Sequence, residues 1–194
     1  MFSFRRPIIW LSLAIGSLIC ISLIAYFLNR PQVSTIAQIE SVLQGISFSP
    51  DGRSIAFGTL YEGAQVRDAR QGNILYTLGT DRITDVMFTP NGKFLITAQG
   101  SETGTVDIWQ VPEGILVRTL EPSLTRWVYS ISVSSDGEYV AVAGSDHVVV
   151  FWILTGEHIR TFDTTGTTVA FSPNSEYIVV GANEPVIRVY RIAS

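Results

Sequence analysis

The chain has 194 residues and a formal net charge of −4, with 46% hydrophobic and 15% charged residues. The charged fraction is below the roughly 25% of typical globular proteins, which excludes a disordered chain or a coiled coil. The acidic balance argues against a nucleic-acid-binding protein. One cysteine excludes an intrachain disulfide and a cysteine-cluster metal site, and two histidines leave little material for a histidine-rich site. The sequence therefore predicts no metal, no cofactor and no nucleic-acid partner.

An uninterrupted apolar segment comes first in the chain. Residues 8–28 carry no charge, and at about 1.5 Å per residue a helix of this length spans roughly 30 Å, the thickness of a hydrocarbon core. Trp10 and Tyr26 lie near its two ends, where aromatic residues meet the membrane surface. The pattern predicts a transmembrane α-helix over 8–28, within an N-terminal membrane anchor formed by residues 1–30.

The processing and orientation of this segment follow from its length and its flanking charges. A cleaved signal peptide usually has an apolar run of about 7–15 residues, so we interpret the longer segment as an uncleaved anchor, with cleavage as the alternative. Arg5 and Arg6 precede the span and only Arg30 follows closely, so the positive-inside rule places the amino terminus in the cytoplasm. This single-pass topology places residues 31–194 outside the cytoplasm.

Residues 31–194 contain a repeated strand–turn–strand pattern. Its four turns begin at residues 49, 89, 134 and 172, at spacings of 40, 45 and 38 residues, and read SPDG, TPNG, SSDG and SPNS. Proline presets the first corner of a tight turn, Asp or Asn hydrogen-bonds to nearby backbone, and glycine accepts a positive φ. In each copy an alternating strand should therefore lead through a tight turn into an apolar strand.

A third and a fourth strand are expected to complete the repeats. The predicted third strands cover 105–109, 148–152 and 186–190, and the predicted fourth strands cover 73–78, 115–120 and 158–162. Four short strands in about 40 residues are typical of one blade of a β-propeller. The predicted fold is all-β, with about four four-stranded blades after one transmembrane helix. The repeats cover about 43–78, 83–120, 128–162 and 166–194.

Aromatic residues on these strands are expected to fill the core. Burial of each side chain would stabilise the fold by roughly 1.5–3 kcal/mol before the entropic cost is counted. The predicted core aromatics are Phe48, Phe57, Phe88, Phe94, Trp109, Phe151, Trp152, Phe162 and Phe171.

The turns and the third-strand aromatics resemble the WD-repeat β-propeller family. Trp109, Trp152 and Tyr190 take the place of the family's tryptophan, and Arg67 holds that place in the first repeat. The residues found where the family has an aspartate after the tryptophan are Gln110, Ile153 and Arg191. The family's Gly-His pair is also absent. The family's side-chain hydrogen-bond network should therefore be mostly missing, and the blades should depend on apolar packing.

The resemblance implies a non-catalytic scaffold that binds other proteins. It also implies that an amino-terminal strand, here residues 35–42, completes the last blade. Four blades are at the low end of the roughly 4–8 found in propellers. Three alternatives to a closed four-bladed ring therefore stay open: an open arc, a homodimer that completes an eight-bladed ring, or a truncated propeller fragment.

Catalytic motifs are absent from the sequence. It contains no His-Glu-x-x-His zinc motif, no Gly-x-Ser-x-Gly elbow, no phosphate-binding loop and no dinucleotide-binding glycine motif. We therefore expect a protein that is not an enzyme. The alternative is a propeller enzyme or a ligand-binding protein that uses the rim of the channel.

Candidate protein-binding residues lie on the loops that join strand four to strand one and strand two to strand three. These residues are Tyr61, Arg82, Arg126, Trp127, Asp146 and His147. Arginine and tryptophan are enriched in binding hot spots, which favours Arg126 and Trp127. In the alternative interpretation, Trp127 packs over the sheet edge and Arg126 is merely solvated.

Overall fold

The computed structural model describes residues 43–102, 104–124 and 126–192. The chain divides into two compact units, Met1–Thr35 and Ile36–Ser194, and every described residue belongs to the second unit. The predicted transmembrane helix (8–28) and the predicted ring-completing strand (35–42) lie outside the described residues. Within the described ranges, no helix has the length and apolar character needed to cross a membrane.

The described residues form fifteen β-strands in four antiparallel sheets. Sheet 1 contains β1 (Leu43–Phe48), β2 (Ser54–Thr59), β3 (Ala64–Asp68) and β4 (Ile74–Leu78). Sheet 2 contains β5 (Ile83–Phe88), β6 (Phe94–Gln99), β7 (Val106–Gln110) and β8 (Ile115–Leu120). Sheet 3 contains β9 (Val128–Val133), β10 (Tyr139–Gly144), β11 (Val148–Trp152) and β12 (His158–Phe162). Sheet 4 contains β13 (Thr168–Phe171), β14 (Tyr177–Gly181) and β15 (Ile187–Arg191).

Strands that are consecutive in the chain are hydrogen-bonded neighbours in every sheet. This order is an antiparallel meander, and its repetition confirms the predicted all-β, propeller-like fold. Sheets 1–3 have the predicted four strands each, and sheet 4 has three strands among the described residues.

The four repeated turns adopt one conformation. In sheet 1, Ser49 Oγ donates a hydrogen bond to Asp51 Oδ1 at 2.6 Å, and the same carboxylate oxygen accepts the Arg53 N–H at 3.0 Å. Equivalent side-chain bonds occur at the other turns, between Thr89 and Asn91, Ser134 and Asp136, and Ser172 and Asn174. The last position has a positive φ in every copy and is glycine in three of them. In the fourth copy it is Ser175, with φ 59°.

Neighbouring sheets pack through apolar faces. We call the side of a sheet that contacts the preceding sheet its front face, which is formed mainly by the first strand. We call the side that contacts the next sheet its back face, which is formed mainly by the second and third strands. Buried clusters join the back face of sheet 1 to sheet 2, that of sheet 2 to sheet 3, and that of sheet 3 to sheet 4. In the described residues, no cluster joins sheet 4 to sheet 1.

The position of Phe48 differs from the prediction. Phe48 is 62% exposed, although the equivalent residue of sheet 2, Phe88, is buried. The prediction that Phe48 belongs to the core is wrong, because the front face of sheet 1 has no preceding sheet among the described residues. Of the other predicted core aromatics, Phe57, Phe88, Phe151 and Phe162 are buried, and Phe94, Trp109, Trp152 and Phe171 are half-buried.

Strand pairing also corrects the predicted alignment of the third strands. In sheet 2, Trp109 pairs with Leu95. The residue of sheet 3 at the position of Leu95 is Val140, and Val140 pairs with Phe151. Phe151, not Trp152, therefore takes the place of Trp109 in sheet 3. The prediction failed because two aromatic residues end this strand. Trp152 instead packs edge-on against Tyr139, with 4.8 Å between ring centroids.

Sheet 2 contains a side-chain hydrogen-bond network. Trp109 Nε1 donates to Thr97 Oγ1 at 2.9 Å. Asp107 accepts hydrogen bonds from Thr119 Oγ1 at 2.6 Å and from Gln99 Nε2 at 2.7 Å. Polar groups thus supplement the apolar packing of sheet 2, through one bond of Trp109 and two separate bonds of Asp107.

Candidate functional site

The predicted binding residues all lie on loops at one end of the sheets. In an antiparallel meander, the loop between strands two and three and the connection from strand four to the next sheet leave from the same end. We call this end the rim. Tyr61 is on the β2–β3 loop, and Arg82 is on the β4–β5 connection. Arg126 and Trp127 are on the β8–β9 connection, and Asp146 and His147 are on the β10–β11 loop.

Arg82 and Trp127 form a contact between two different connections. The guanidinium carbon of Arg82 lies 4.3 Å from the centroid of the Trp127 ring, within the range of a cation–π interaction. Trp127 remains 37% exposed. Arg82 Nε is buried and has no hydrogen-bond partner among the described residues. The pair therefore presents a partly exposed aromatic ring beside a guanidinium whose Nε is shielded from solvent.

Hydrogen bonds of Thr84 and Gly100 position the two connections that carry this pair. Thr84 Oγ1 lies 2.9 Å from the carbonyl oxygen of Val128, which ties the start of β5 to the start of β9. The Gly100 N–H donates to the carbonyl oxygen of Arg82 at 2.9 Å. A Cβ at Gly100 would lie 3.1 Å from Arg82 Cδ and 2.8 Å from Thr84 Cγ2, so a side chain there would displace the arginine.

His147 and Asp146 form a second contact at the rim. His147 Nε2 lies 2.9 Å from the carbonyl oxygen of Pro122, and because a carbonyl can only accept, Nε2 must carry the proton. His147 Nδ1 lies 3.5 Å from Asp146 Oδ2. Both side chains are half-buried. The histidine thus fastens the β10–β11 loop to the β8–β9 connection, which gives it a structural role.

Tyr61 and Arg126 are both exposed. Tyr61 is 84% exposed on sheet 1 and is not grouped with the Arg82–Trp127 pair. Arg126 is exposed, and it is the neighbouring Trp127 that contacts Arg82. The sequence emphasised the adjacent residues Arg126 and Trp127, whereas the structure pairs Trp127 with an arginine on a different connection.

Asp85 is a rim-side residue that the sequence analysis did not single out. It lies on β5, and its carboxylate accepts hydrogen bonds from the backbone N–H groups of Ile131 and Val86, each at 2.9 Å. A Cβ at Gly45 would lie 2.5 Å from Asp85 Oδ1, so β1 approaches closely as well. Burial raises the pKa of Asp85 above its usual value, although these backbone hydrogen bonds act in the opposite direction. The sequence did contain a signal for this role, since Asp85 is a charged residue within a mainly apolar strand.

A cavity of about 340 Å³ opens at the opposite end, between sheets 1 and 2. Its lining includes Pro50, Asp51, Tyr76, Phe88 and Pro112. Burial raises the pKa of Tyr76, and the charge of Glu113 adds to this effect. The sequence analysis did not predict this cavity, because the turns and strand residues that line it belong to two different sheets.

Metal-binding geometry is not found in the part of the chain that the structure describes. No group of three histidine, cysteine, aspartate or glutamate residues there is arranged to hold an ion. His147 contacts Pro122, and His158 Nε2 lies 2.8 Å from Thr161 Oγ1. The two histidines thus make separate local contacts.

The chain is similar to WD-repeat proteins. The family model described as "WD domain, G-beta repeat" matches residues 72–110 and 114–152. The uncharacterized WD repeat-containing protein sll1491 of Synechocystis sp. is 26% identical over 157 residues, which cover 77% of this chain and 44% of that protein. The nuclear distribution protein nudF of Emericella nidulans is 33% identical over 82 residues, which cover 41% of this chain and 18% of that protein. The chain thus spans less than half the length of these curated relatives.

Solved structures show the same fold. The crystal structure of the computationally designed Ika4 protein matches with a TM-score of 0.69 and 18% sequence identity, and the match covers 84% of this chain and 99% of that chain.

The two segments matched by the family model end at Gln110 and Trp152. These ends agree with the strand alignment described above, in which Phe151 takes the place of Trp109. The chain therefore contains two segments that match the WD40 repeat model, within a propeller-like fold.

Proposed function

We propose that this protein is a membrane-anchored, non-catalytic scaffold that binds other proteins through the rim of its propeller-like domain. The observation that carries the proposal is the Arg82–Trp127 pair. Its exposed aromatic ring and its guanidinium lie 4.3 Å apart and come from two different connections. Arginine and tryptophan are residue types that dominate the free energy of many protein interfaces.

The chemistry of the pair favours a partner with carboxylate or carbonyl groups. A guanidinium carries five N–H donors and stacks on aromatic faces, so one arginine can use both properties in the same contact. The ring of Trp127 restricts the position of Arg82 before a partner arrives, which reduces the entropic cost of binding. WD-repeat proteins generally bind other proteins, and this supports the choice of a protein partner.

A double variant of the pair tests this function. Proximity labelling with the tagged 194-residue chain in its native host would identify neighbours, and Arg82→Gln with Trp127→Ala should remove those that bind the rim. Arg53→Gln is the matched control, because the Arg53 side chain is 85% exposed at the opposite end. Loss of the same neighbours in the control, or retention of all of them in the double variant, would contradict the proposal. Thermal unfolding of both variants would detect a general loss of structure.

The membrane anchor is proposed from residues 8–28, with the propeller-like domain outside the cytoplasm. Support comes from the apolar length of this segment and from Arg5 and Arg6 before it. The chain should remain in the membrane fraction after alkaline extraction. A carboxy-terminal reporter that is active only outside the cytoplasm should show activity. Release by alkali would contradict the anchor, and an inactive but intact reporter would contradict the orientation.

A further inference from the structure

The junction between neighbouring sheets occurs three times and uses equivalent positions each time. On the back faces, three positions from the second and third strands are at most 1% exposed in every copy. They are Ala56, Ala64 and Val66 in sheet 1, Ile96, Val106 and Ile108 in sheet 2, and Ala141, Val148 and Val150 in sheet 3. Each set is covered by the front face of the next sheet.

Sheet 4 presents the same back-face positions to solvent. Strand pairing makes Val179, Ile187 and Val189 the equivalents of the buried residues, and they are 36%, 74% and 66% exposed. The alternate residues of β15 point towards sheet 3, where Tyr190 packs on Phe162 with 4.5 Å between ring centroids. One side of sheet 4 is therefore packed, and the other is an open apolar face.

Sheet 1 presents the opposite kind of face. Ile46 is 64% exposed, whereas its equivalents Val86, Ile131 and Val169 are 1%, 1% and 5% exposed. Phe48 lies next to Ile46 on the same side of the strand and is equally open. The side chain between them, Ser47, points towards sheet 2, where its Oγ accepts the Phe88 N–H at 3.2 Å.

The described residues therefore include one open back face and one open front face, which are the two surfaces that pair at each internal junction. We propose that the back face of sheet 4 binds the front face of sheet 1 of a second copy. Head-to-tail contacts close into a ring only where the rotation between copies fits. The proposed assembly closes at two copies, in which a second identical junction covers the two remaining faces and gives a two-fold symmetric ring of eight sheets. The internal junctions already show that these positions pack against each other, and exposed apolar patches of this kind favour association.

One polar detail distinguishes this junction from the internal ones. At each internal junction a first-strand side chain accepts a backbone N–H of the next sheet: Ser47 from Phe88, Met87 from Val133 and Ser132 from Phe171. The equivalent residue of sheet 4 is Ala170, which has no acceptor in its side chain. The junction between copies should therefore lack this hydrogen bond and be weaker than the internal ones.

Light scattering of the 194-residue chain in detergent would measure its protein mass. We expect twice the chain mass at micromolar concentration, and a mass of one chain across the concentration range would overturn the proposal.

Variants of either face should convert the dimer to monomer. Two front-face changes in one chain, Ile46→Glu and Phe48→Glu, should be sufficient by themselves. Two back-face changes, Ile187→Glu and Val189→Glu, should do the same. The matched control is Leu154→Glu, since Leu154 is 62% exposed in a loop of sheet 3, and it should leave the mass unchanged.

Mixing the two altered chains distinguishes a head-to-tail contact from a symmetric one. An equimolar mixture of the front-face and back-face variants keeps one unaltered junction, so it should recover a dimer that neither variant forms alone. A contact between two front faces or two back faces would leave one of the variants dimeric by itself. That result would overturn the head-to-tail arrangement.

Cysteine cross-linking provides a measurement that does not depend on charge changes. In a Cys20→Ser background, Phe48→Cys on one chain and Val189→Cys on another should give a disulfide-linked pair when mixed and oxidised. The equivalent internal residues, Phe88 and Val66, belong to one buried cluster. Linkage of equal yield within either variant alone, or no linkage in the mixture, would contradict the proposed pairing.

Ala170→Ser should strengthen the association. The new hydroxyl supplies the acceptor for the Phe48 N–H of the second copy that the internal junctions possess. One hydrogen bond of this kind contributes about 0.5–1.5 kcal/mol, and the closed ring contains two such junctions, so the dissociation constant should fall by about 5–150-fold. An unchanged or higher dissociation constant would contradict the proposed register of the two faces.

Discussion

The two ends of the sheets are stabilised in different ways. At the end with the repeated turns, one pattern of hydrogen bonds between residues two positions apart occurs in all four sheets. At the rim, contacts join residues that are far apart in the chain, such as Arg82 with Trp127 and His147 with Pro122. Repeated local bonds thus define the turn end, whereas the rim also depends on contacts between residues of different connections.

A matched pair of glycines should give the largest difference between the two ends. Gly63 at the rim and Gly52 in a repeated turn both have a positive φ, of 72° and 69°. A Cβ at Gly63 would collide with the carbonyl oxygens of Gly79 and Leu78, whereas nothing lies within 4 Å of a Cβ at Gly52. Gly63→Ala should lower the free energy of unfolding by about 3 kcal/mol or more, from overpacking added to left-handed strain. Gly52→Ala should cost only about 1–2 kcal/mol.

Denaturant unfolding of the two alanine variants measures this difference. Equal losses would show that the rim loops yield as readily as the turns, and would contradict the idea that long-range contacts fix them. The Gly52 variant also serves as the control for backbone strain alone.

Two carboxylates should give opposite pH dependences. Burial raises the pKa of Asp85, on the rim side, so its contribution to stability is present below its unfolded-state pKa of about 3.9 and is lost as the pH rises through the folded value. For Asp136, in a repeated turn, burial acts to raise the pKa, but the hydrogen bonds from Ser134 and the Glu138 N–H give a net lowering. Its contribution is present above the unfolded-state pKa and is lost as the pH falls through the folded value.

Asn variants of both residues test these signs. The unfolding free energy of the wild type relative to Asp85→Asn should fall as the pH is raised from about 4 towards neutrality. Relative to Asp136→Asn, it should fall as the pH is lowered below about 4. Denaturant titrations between pH 3 and pH 7 would measure both differences. The same sign for both variants would mean that the rim carboxylate is not distinguished by its burial.

The smallest expected effect is the coupling between Arg82 and Trp127. A double-mutant cycle with Arg82→Gln and Trp127→Leu should give a coupling free energy of about 0.5–1 kcal/mol, as for a partly exposed cation–π pair. Thermal or denaturant unfolding of the four proteins measures it. A coupling indistinguishable from zero would indicate that the ring and the guanidinium are adjacent without interacting, and would weaken the case for a preorganised site.

Much of the fold could be predicted because its signals are local. The proline, the Asp or Asn and the glycine of each repeated turn act on backbone within a few residues, so four similar copies are visible in the sequence. The third strand of sheet 3 was misaligned by one residue because Phe151 and Trp152 are both aromatic. Only the pairing of Phe151 with Val140 resolves the register.

The candidate site was less predictable. Tyr61, Arg82, Trp127 and the others could be assigned to rim loops from the strand order, because each loop's place depends on its own repeat. That Arg82 rather than Arg126 contacts Trp127 depends on how sheets 2 and 3 pack. The role of Asp85 was missed for a related reason, since one of its partners, the Ile131 N–H, lies on another sheet.

The sequence by itself determined the four repeats, their turns and the alternation of their strands, because these depend on local backbone preferences and on the two-residue period of a β-strand. The tertiary structure alone decided which apolar faces are covered. Ile46 and Val86 occupy the same place in the same pattern, yet one is 64% and the other 1% exposed. Burial depends on the presence of a neighbouring sheet, and that property of the assembled domain is not encoded in any single repeat.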